Sequence, residues 1–200
     1  MIIWLTSYPK SGNTWLRSFI ISILYQKKKE VDLKNLNKIR QYPLRSDFKY
    51  FTKNLDNIHE LSKYWIKSQK KINSENKLKI LKTHHTLTNI NGNYFTNFEN
   101  TFGAIYIVRD PRNVVSSIHY HYSKKNIDDA LKFILDDNKV IGFPSLKEVP
   151  DDNEIITPIA SWRTHYNSWK LLKKNFLLIK YENLILNPYK EFTKIVIYLE

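Results

Sequence analysis

The chain has 200 residues, with 32 lysines and arginines against 19 acidic residues, a net charge of +13, and 42% hydrophobic content; that is enough to bury one core, so a single domain over 1–200 is the expectation. It contains no cysteine, which excludes a disulfide framework, a thiolate nucleophile and a cysteine-ligated metal, and fits the reducing cytoplasm. No apolar run approaches bilayer length and the first residues lack a signal pattern, so the chain reads as cytoplasmic without a membrane span; scattered lysines with few arginines argue against a dedicated nucleic-acid face.

The opening apolar run over residues 2–6 reads as a buried strand. It enters Tyr8-Pro9-Lys10-Ser11-Gly12-Asn13-Thr14-Trp15, and a helix is expected over 14–25, its stripe made by Trp15, Leu16, Phe19, Ile20, Ile23 and Leu24. A strand, a short turn and a helix aim unpaired helix N–H groups back at the turn, where an anion belongs. Lys10 adds a positive charge, Ser11 and Thr14 add hydroxyls, and Gly12 allows close backbone approach. Lys-Ser-Gly alone would serve as a surface turn; the flanking strand and helix favour the cradle. The lysine precedes the glycine in a short turn, so this is not a Walker A loop.

Residues 26–77 are lysine-rich and weakly periodic, with Lys27-Lys28-Lys29 as a solvated helix end and one amphipathic helix through Leu55, Ile58, Leu61, Tyr64, Trp65 and Ile66. The segment is assigned to the substrate side of the pocket. A strand over 78–83 then ends in Lys82-Thr83-His84-His85. In extended chain Lys82 and His84 project to one side and Thr83 and His85 to the other, which favours His84 as a general base. A merely polar strand end would contain the same residues.

A third strand, over 101–108, runs into Arg109-Asp110-Pro111-Arg112, and a helix over 113–121 carries Ser116 and Ser117. Arginine at a strand's carboxyl end followed by helix hydroxyls suits a terminal phosphate, although a salt-bridged Arg-Asp-Pro turn explains the tetrapeptide equally well. His119 and His121 on that helix are read as packing or rim residues. Further helices are expected over 128–137, 158–173 and 188–199, a flap over 139–153 and a last strand over 176–181. Alternating strands and helices imply an α/β fold with a mostly parallel sheet.

Three of these segments resemble one family. Tyr8 through Trp15 is similar to the 5′-phosphosulfate loop of the sulfotransferases that use 3′-phosphoadenosine-5′-phosphosulfate (PAPS), with Asn13 where threonine is commoner. Arg109 and Ser117, eight residues apart, match the family's 3′-phosphate motif, and Lys82-Thr83-His84 resembles the segment that supplies its catalytic base. The strand ending Tyr181-Glu182 and the flanking helices follow the same pattern.

The resemblance implies a P-loop-like three-layer α/β/α fold and in-line sulfuryl transfer from PAPS to a hydroxyl or amine, with 3′,5′-phosphoadenosine (PAP) as product and no metal. It assigns His84 as base, Lys10 to the leaving 5′-phosphate and Lys82 to the sulfuryl oxygens. Lys10, Ser11, Gly12, Asn13, Thr14, Trp15, Arg109, Ser117 and Tyr181 would bind the cofactor. Trp15 and Tyr181 would offer faces to its purine, though core packing is the commoner fate of such aromatics. The acceptor would be a small molecule, glycan or lipid. Family members usually carry a later Arg-Lys-Gly and Gly-Asp-Trp lid, which this sequence does not reach before Leu199-Glu200; a fragment or a shortened variant is expected. Two other readings stand beside this one: an ATP and Mg²⁺ phosphotransferase, which the lysine position disfavours, and a nonenzymatic basic binding module.

Overall fold

The computed structural model describes residues 1–25, 33–75, 77–142 and 154–200. In chain order, strand β1 (Ile2–Thr6) leads into helix α1 (Asn13–Tyr25), and helices α2 (Ile58–Ser62) and α3 (Trp65–Asn73) precede β2 (Lys79–Thr83). A small hairpin of β3 (Asn89–Ile90) and β4 (Asn93–Tyr94) comes before β5 (Thr101–Val108) and α4 (Pro111–His121). The remainder is α5 (Ile127–Leu135), β6 (Val140–Ile141), β7 (Thr157–Pro158), α6 (Trp162–Trp169), β8 (Phe176–Lys180), α7 (Tyr181–Leu186) and α8 (Pro188–Leu199).

The main sheet has the order β2-β1-β5-β8 with every pair parallel. Both its faces are covered, and this explains why the central strands β1 and β5 are largely apolar, while the edge strand β2 carries Lys79 and Lys82. Ile2, Trp4, Leu81, Ala104 and Tyr106 pack toward Tyr42, Phe48, Trp65, Phe95 and Trp169 on one side. Ile3, Leu5, Ile80, Ile105, Ile107 and Ile179 meet Leu16, Ile20, Leu184 and Ile195 on the other. Alternation along each strand therefore separates two cores, and the α/β/α layering expected from the sequence is present.

Local chemistry corrects several expected boundaries. The helix expected at 158–173 begins only at Trp162: Pro158 pairs with Val140 in a two-residue ladder, Ala160 takes φ 54, and the Ser161 side chain accepts from Thr164 N as the N-cap. The single helix expected around Leu55 to Ile66 is broken into α2 and α3 at Lys63 and Tyr64. Capped by Asn126, α5 starts at Ile127, one residue before the expected 128, and extended Asp136 ends it early. Asp110 with Pro111 starts α4 two residues before Asn113, and Asn13 rather than Thr14 opens α1. The last main strand stops at Lys180, so Tyr181 opens α7 instead of ending β8. The Lys27-Lys28-Lys29 run and positions 143–153 of the expected flap lie outside the described residues; Val140 and Ile141 of that flap form β6.

Candidate active site

From β1 the chain moves to β2 on one side and later to β5 on the other, so the sheet order reverses between β1 and β5. Open α/β sheets bind ligands at the carboxyl ends of strands flanking such a switch. The loop of residues 7–12 leaves β1 there, with Lys10 at φ 66 and Gly12 at φ 98 before α1 begins. A non-glycine residue in that region costs about 1 kcal/mol or more. Arg109, at the end of β5, braces the strained residue: its Nη1 donates to the Lys10 carbonyl at 3.1 Å. Two buried polar atoms beside the loop, Ser11 Oγ and Arg109 Nε, have no partner among the described residues. Such groups normally find one, and both are suited to an anion.

Arg109 has a second neighbour. Its guanidinium lies 4.6 Å from the centre of the Tyr181 ring, and Trp15 approaches that ring edge-on at 6.1 Å. Gly12, Thr14, Trp15, Tyr181 and Phe192 line an open cavity of about 700 Å³, where Trp15 keeps 40% of its surface exposed. The salt bridge expected within Arg-Asp-Pro-Arg does form, but Arg112 makes it with Asp110 at 2.5 Å, leaving Arg109 turned toward the loop. The side chain of Ser117, half-buried on α4, makes no hydrogen bond among the described residues. Glu182 Oε1 accepts from the Asp110 N–H at 2.9 Å, fastening the start of α7 to the end of β5.

Gly12 is required by this packing. A Cβ there would overlap Tyr181 Cδ2, and the backbone conformation is disfavoured for an L side chain. Gly12→Ala is expected to lower the unfolding free energy by about 1–3 kcal/mol, read from the urea midpoint at unchanged m-value.

At the end of β2, His84 Nδ1 lies 2.7 Å from the Ser7 carbonyl. A carbonyl only accepts, so Nδ1 carries the proton and Nε2 keeps the lone pair. Ser7 is itself held, because Asn13 Nδ2 donates to Ser7 Oγ at 3.2 Å and to the Leu5 carbonyl at 3.3 Å. The Asn13 side chain is thus turned inward, and what it leaves facing the loop is backbone. Burial, then the neighbouring Lys82 charge, pushes His84 well below its ordinary pKa. His84 lines a cavity of about 560 Å³ whose wall also includes Gln41, His121, Tyr122, Phe133 and Ile155.

Lys82 is half-buried, and its Nζ donates to Gln41 Oε1 at 2.8 Å. Burial, with the Arg17 charge as a further cause, lowers it to about 8. His85 occupies the core instead, stacked on Phe95 at 4.0 Å. His121 is on the cavity rim, held below its usual pKa by burial and by the Lys10 charge.

The structure therefore brings Lys10, Ser11, Gly12, Trp15, Arg109 and Tyr181 together around the loop, with exposed Thr14 at its rim, while Lys82 and His84 sit on the adjoining strand end. Sequence reasoning missed Ser7, Gln41, Arg17, Glu182 and His165, whose Nε2 donates to the His84 carbonyl at 3.0 Å. Ser7 directly follows the first strand and was within reach; the others carry no local signal. Among the described residues no cluster of three or more His, Asp or Glu is placed to hold a metal, and no helix is long and apolar enough to cross a membrane.

Residues 2–200 match the family described as the sulfotransferase domain. No curated protein is significantly similar. Among solved structures, mouse sulfotransferase SULT7A1 complexed with PAP superposes with a TM-score of 0.59 at 20% identity, covering 99% of this chain and 57% of that one. Retinol dehydratase in complex with androsterone and PAP gives 0.53 at 14% identity, and its complex with retinol and PAP gives 0.55 at 16%; both matches cover 99% of this chain and 59% of that one. The chain thus spans less than two thirds of the length of these proteins.

Proposed function

Because the chain belongs to the sulfotransferase domain family over residues 2–200, we propose that it transfers a sulfuryl group from PAPS to a hydroxyl or amine, with His84 Nε2 as the base. One observation carries the reading: Ser7 is both the first residue of the anion loop and the hydrogen-bond partner that fixes the tautomer of His84. Base and cradle are positioned by the same few atoms.

The residues present suit such a ligand. Ser11 Oγ and Arg109 Nε are buried and unpartnered, and the backbone N–H groups at the start of α1 face the loop. PAPS, when bound, supplies an activated sulfuryl group, whose S–O bond to the 5′-phosphate breaks with the electron pair leaving on phosphate as a new bond forms from sulfur to the acceptor's oxygen or nitrogen. Lys10, Ser11 and the loop backbone hold the 5′-phosphate and take up the charge that appears there. Arg109 and Ser117 hold the 3′-phosphate, and Trp15 and Tyr181 border the purine. Lys82 faces the sulfuryl oxygens, and His84 Nε2 takes the acceptor's proton.

The acceptor enters the cavity of about 560 Å³ beside His84, whose wall draws Gln41, Tyr42 and Pro43 from the 26–77 segment. This lining supports assigning that segment to the substrate side. The size and the mixed aromatic and polar lining suit a small molecule or the end of a glycan or lipid.

Calorimetry with PAP tests the reading. The wild type is expected to release heat, and Lys10→Ala to weaken binding by about 1.5–3 kcal/mol, roughly 10- to 100-fold, through loss of a charge-assisted contact. No heat at millimolar PAP would overturn it. An ATP phosphotransferase would instead lose activity with EDTA, and a basic binding module would show steep salt dependence with no preference for PAP over ATP.

A further inference from the structure

One cation near the site has no role in the scheme above. Arg17 is half-buried on α1, its Nε has no partner, and it makes no hydrogen bond or salt bridge among the described residues. It lies three residues beyond Thr14 and four beyond Asn13, on the turn just above the anion loop, and helical side chains slope back toward the N-terminus. The sheet face under α1 carries Ile80, which packs with Leu16 and Ile20, and by strand alternation Lys82 follows on the same face. The partner of Lys82 is the neutral amide of Gln41 rather than a carboxylate. The Arg17 charge is a lesser cause, after burial, of the lowered pKa of both Lys82 and His84. Glu154 is the acid whose charge reaches Lys82.

Two cations beside a catalytic base, neither of them in a salt bridge among the described residues, call for an anion between them. The donors of residues 7–12 already surround the place of the 5′-phosphate, whereas Arg17 lies toward Lys82 and His84. We infer that Arg17 contacts the oxygens of the sulfuryl group in transfer and, with Lys82, holds the charge spread over them. The inference rests on the sulfotransferase reading. The chemistry is unchanged: the sulfur–phosphate oxygen bond breaks, the sulfur–acceptor oxygen bond forms, and the acceptor's proton goes to His84. Arg17 takes no proton and only stabilises charge.

Arg17→Met and Arg17→Lys separate this role from a structural one. PAP lacks the sulfuryl group, so both variants are expected to bind PAP as the wild type does. Free Arg17→Met is expected to melt no lower than the wild type, since an unsatisfied cation has been removed. With PAP saturating, inorganic sulfate at constant ionic strength should raise the melting temperature of the wild type and, in part, of Arg17→Lys, but not of Arg17→Met. The kcat of Arg17→Met should fall about 10²-fold. Retention of both sulfate protection and kcat in Arg17→Met overturns the inference, and so does a loss of PAP affinity, which would assign Arg17 to a phosphate. A wild type that neither binds PAP nor sulfates any acceptor overturns the sulfotransferase reading itself, an outcome distinct from either.

Discussion

His84→Ala is expected to lower kcat by about 10²–10⁴-fold while leaving PAP affinity nearly unchanged, the range associated with loss of a positioned general base. The expectation depends on which nitrogen is free. With Nδ1–H committed to the Ser7 carbonyl at 2.7 Å, only Nε2 can accept a proton. His84→Asn separates basicity from positioning, because its amide N–H can still donate to Ser7 but has no basic lone pair; it should be as inactive as His84→Ala. Burial and the Lys82 charge hold His84 below its usual pKa, so the base is deprotonated throughout the neutral range. A base must be unprotonated to act, so kcat/KM should stay flat from neutral pH down through about 6.5, the ordinary histidine value, and fall only in more acidic solution. Full activity in His84→Asn would assign the proton to another group.

The main strands were legible because both faces of the sheet are buried and β1, β5 and β8 are largely apolar runs bounded by turn residues, while β2 keeps a short apolar centre at Ile80 and Leu81. The turn between β1 and α1 was legible as well, since Gly12 marks it through local backbone geometry. Pairings across the chain were not. Nothing near Lys82 announces Gln41, forty-one residues earlier, and the contact of His84 with Ser7 exists only because β1 and β2 lie parallel with Thr6 opposite Thr83. Helix α6 was overextended because the aromatic periodicity around Trp162 and Trp169 says nothing of Pro158, which is held in a ladder with Val140. Tyr181 was read as the end of a strand. A one-residue change of boundary puts it instead at the first position of α7, where its ring covers Gly12 and lies beneath Arg109.

Two buried histidines should make stability fall steeply in mild acid. His85 is 0% exposed: its Nδ1–H donates to the Thr86 carbonyl at 2.6 Å, and its Nε2 is buried without a partner among the described residues. A proton on Nε2 would have no acceptor, between Phe95 and the edge of Trp65. His165 is equally committed. Its Nε2–H donates to the His84 carbonyl and its Nδ1 accepts from the Tyr106 hydroxyl at 2.8 Å, so protonation would put a charge among buried groups and force that hydroxyl to turn from donor to acceptor. Burial lowers His85 to about 3 and His165 to about 4, against about 6.5 in the unfolded chain. Between those values the unfolded state binds more protons, so this stability is fully present above about pH 6.5 and is lost as the pH falls toward 4 and then 3. Each histidine contributes a slope of about 1.4 kcal/mol per pH unit, and the pair about 3. Urea unfolding at pH 5.5 should therefore give a free energy at least about 2–3 kcal/mol below that at pH 7, before most carboxylates titrate, and His84, also held below its usual pKa, adds to the fall. His85→Gln should remove about 1.4 kcal/mol per pH unit of that slope whatever it does to absolute stability, because it deletes one titration. An unchanged slope in that variant would mean that His85 reaches solvent in the native protein and that the core around Phe95 is looser than its packing implies.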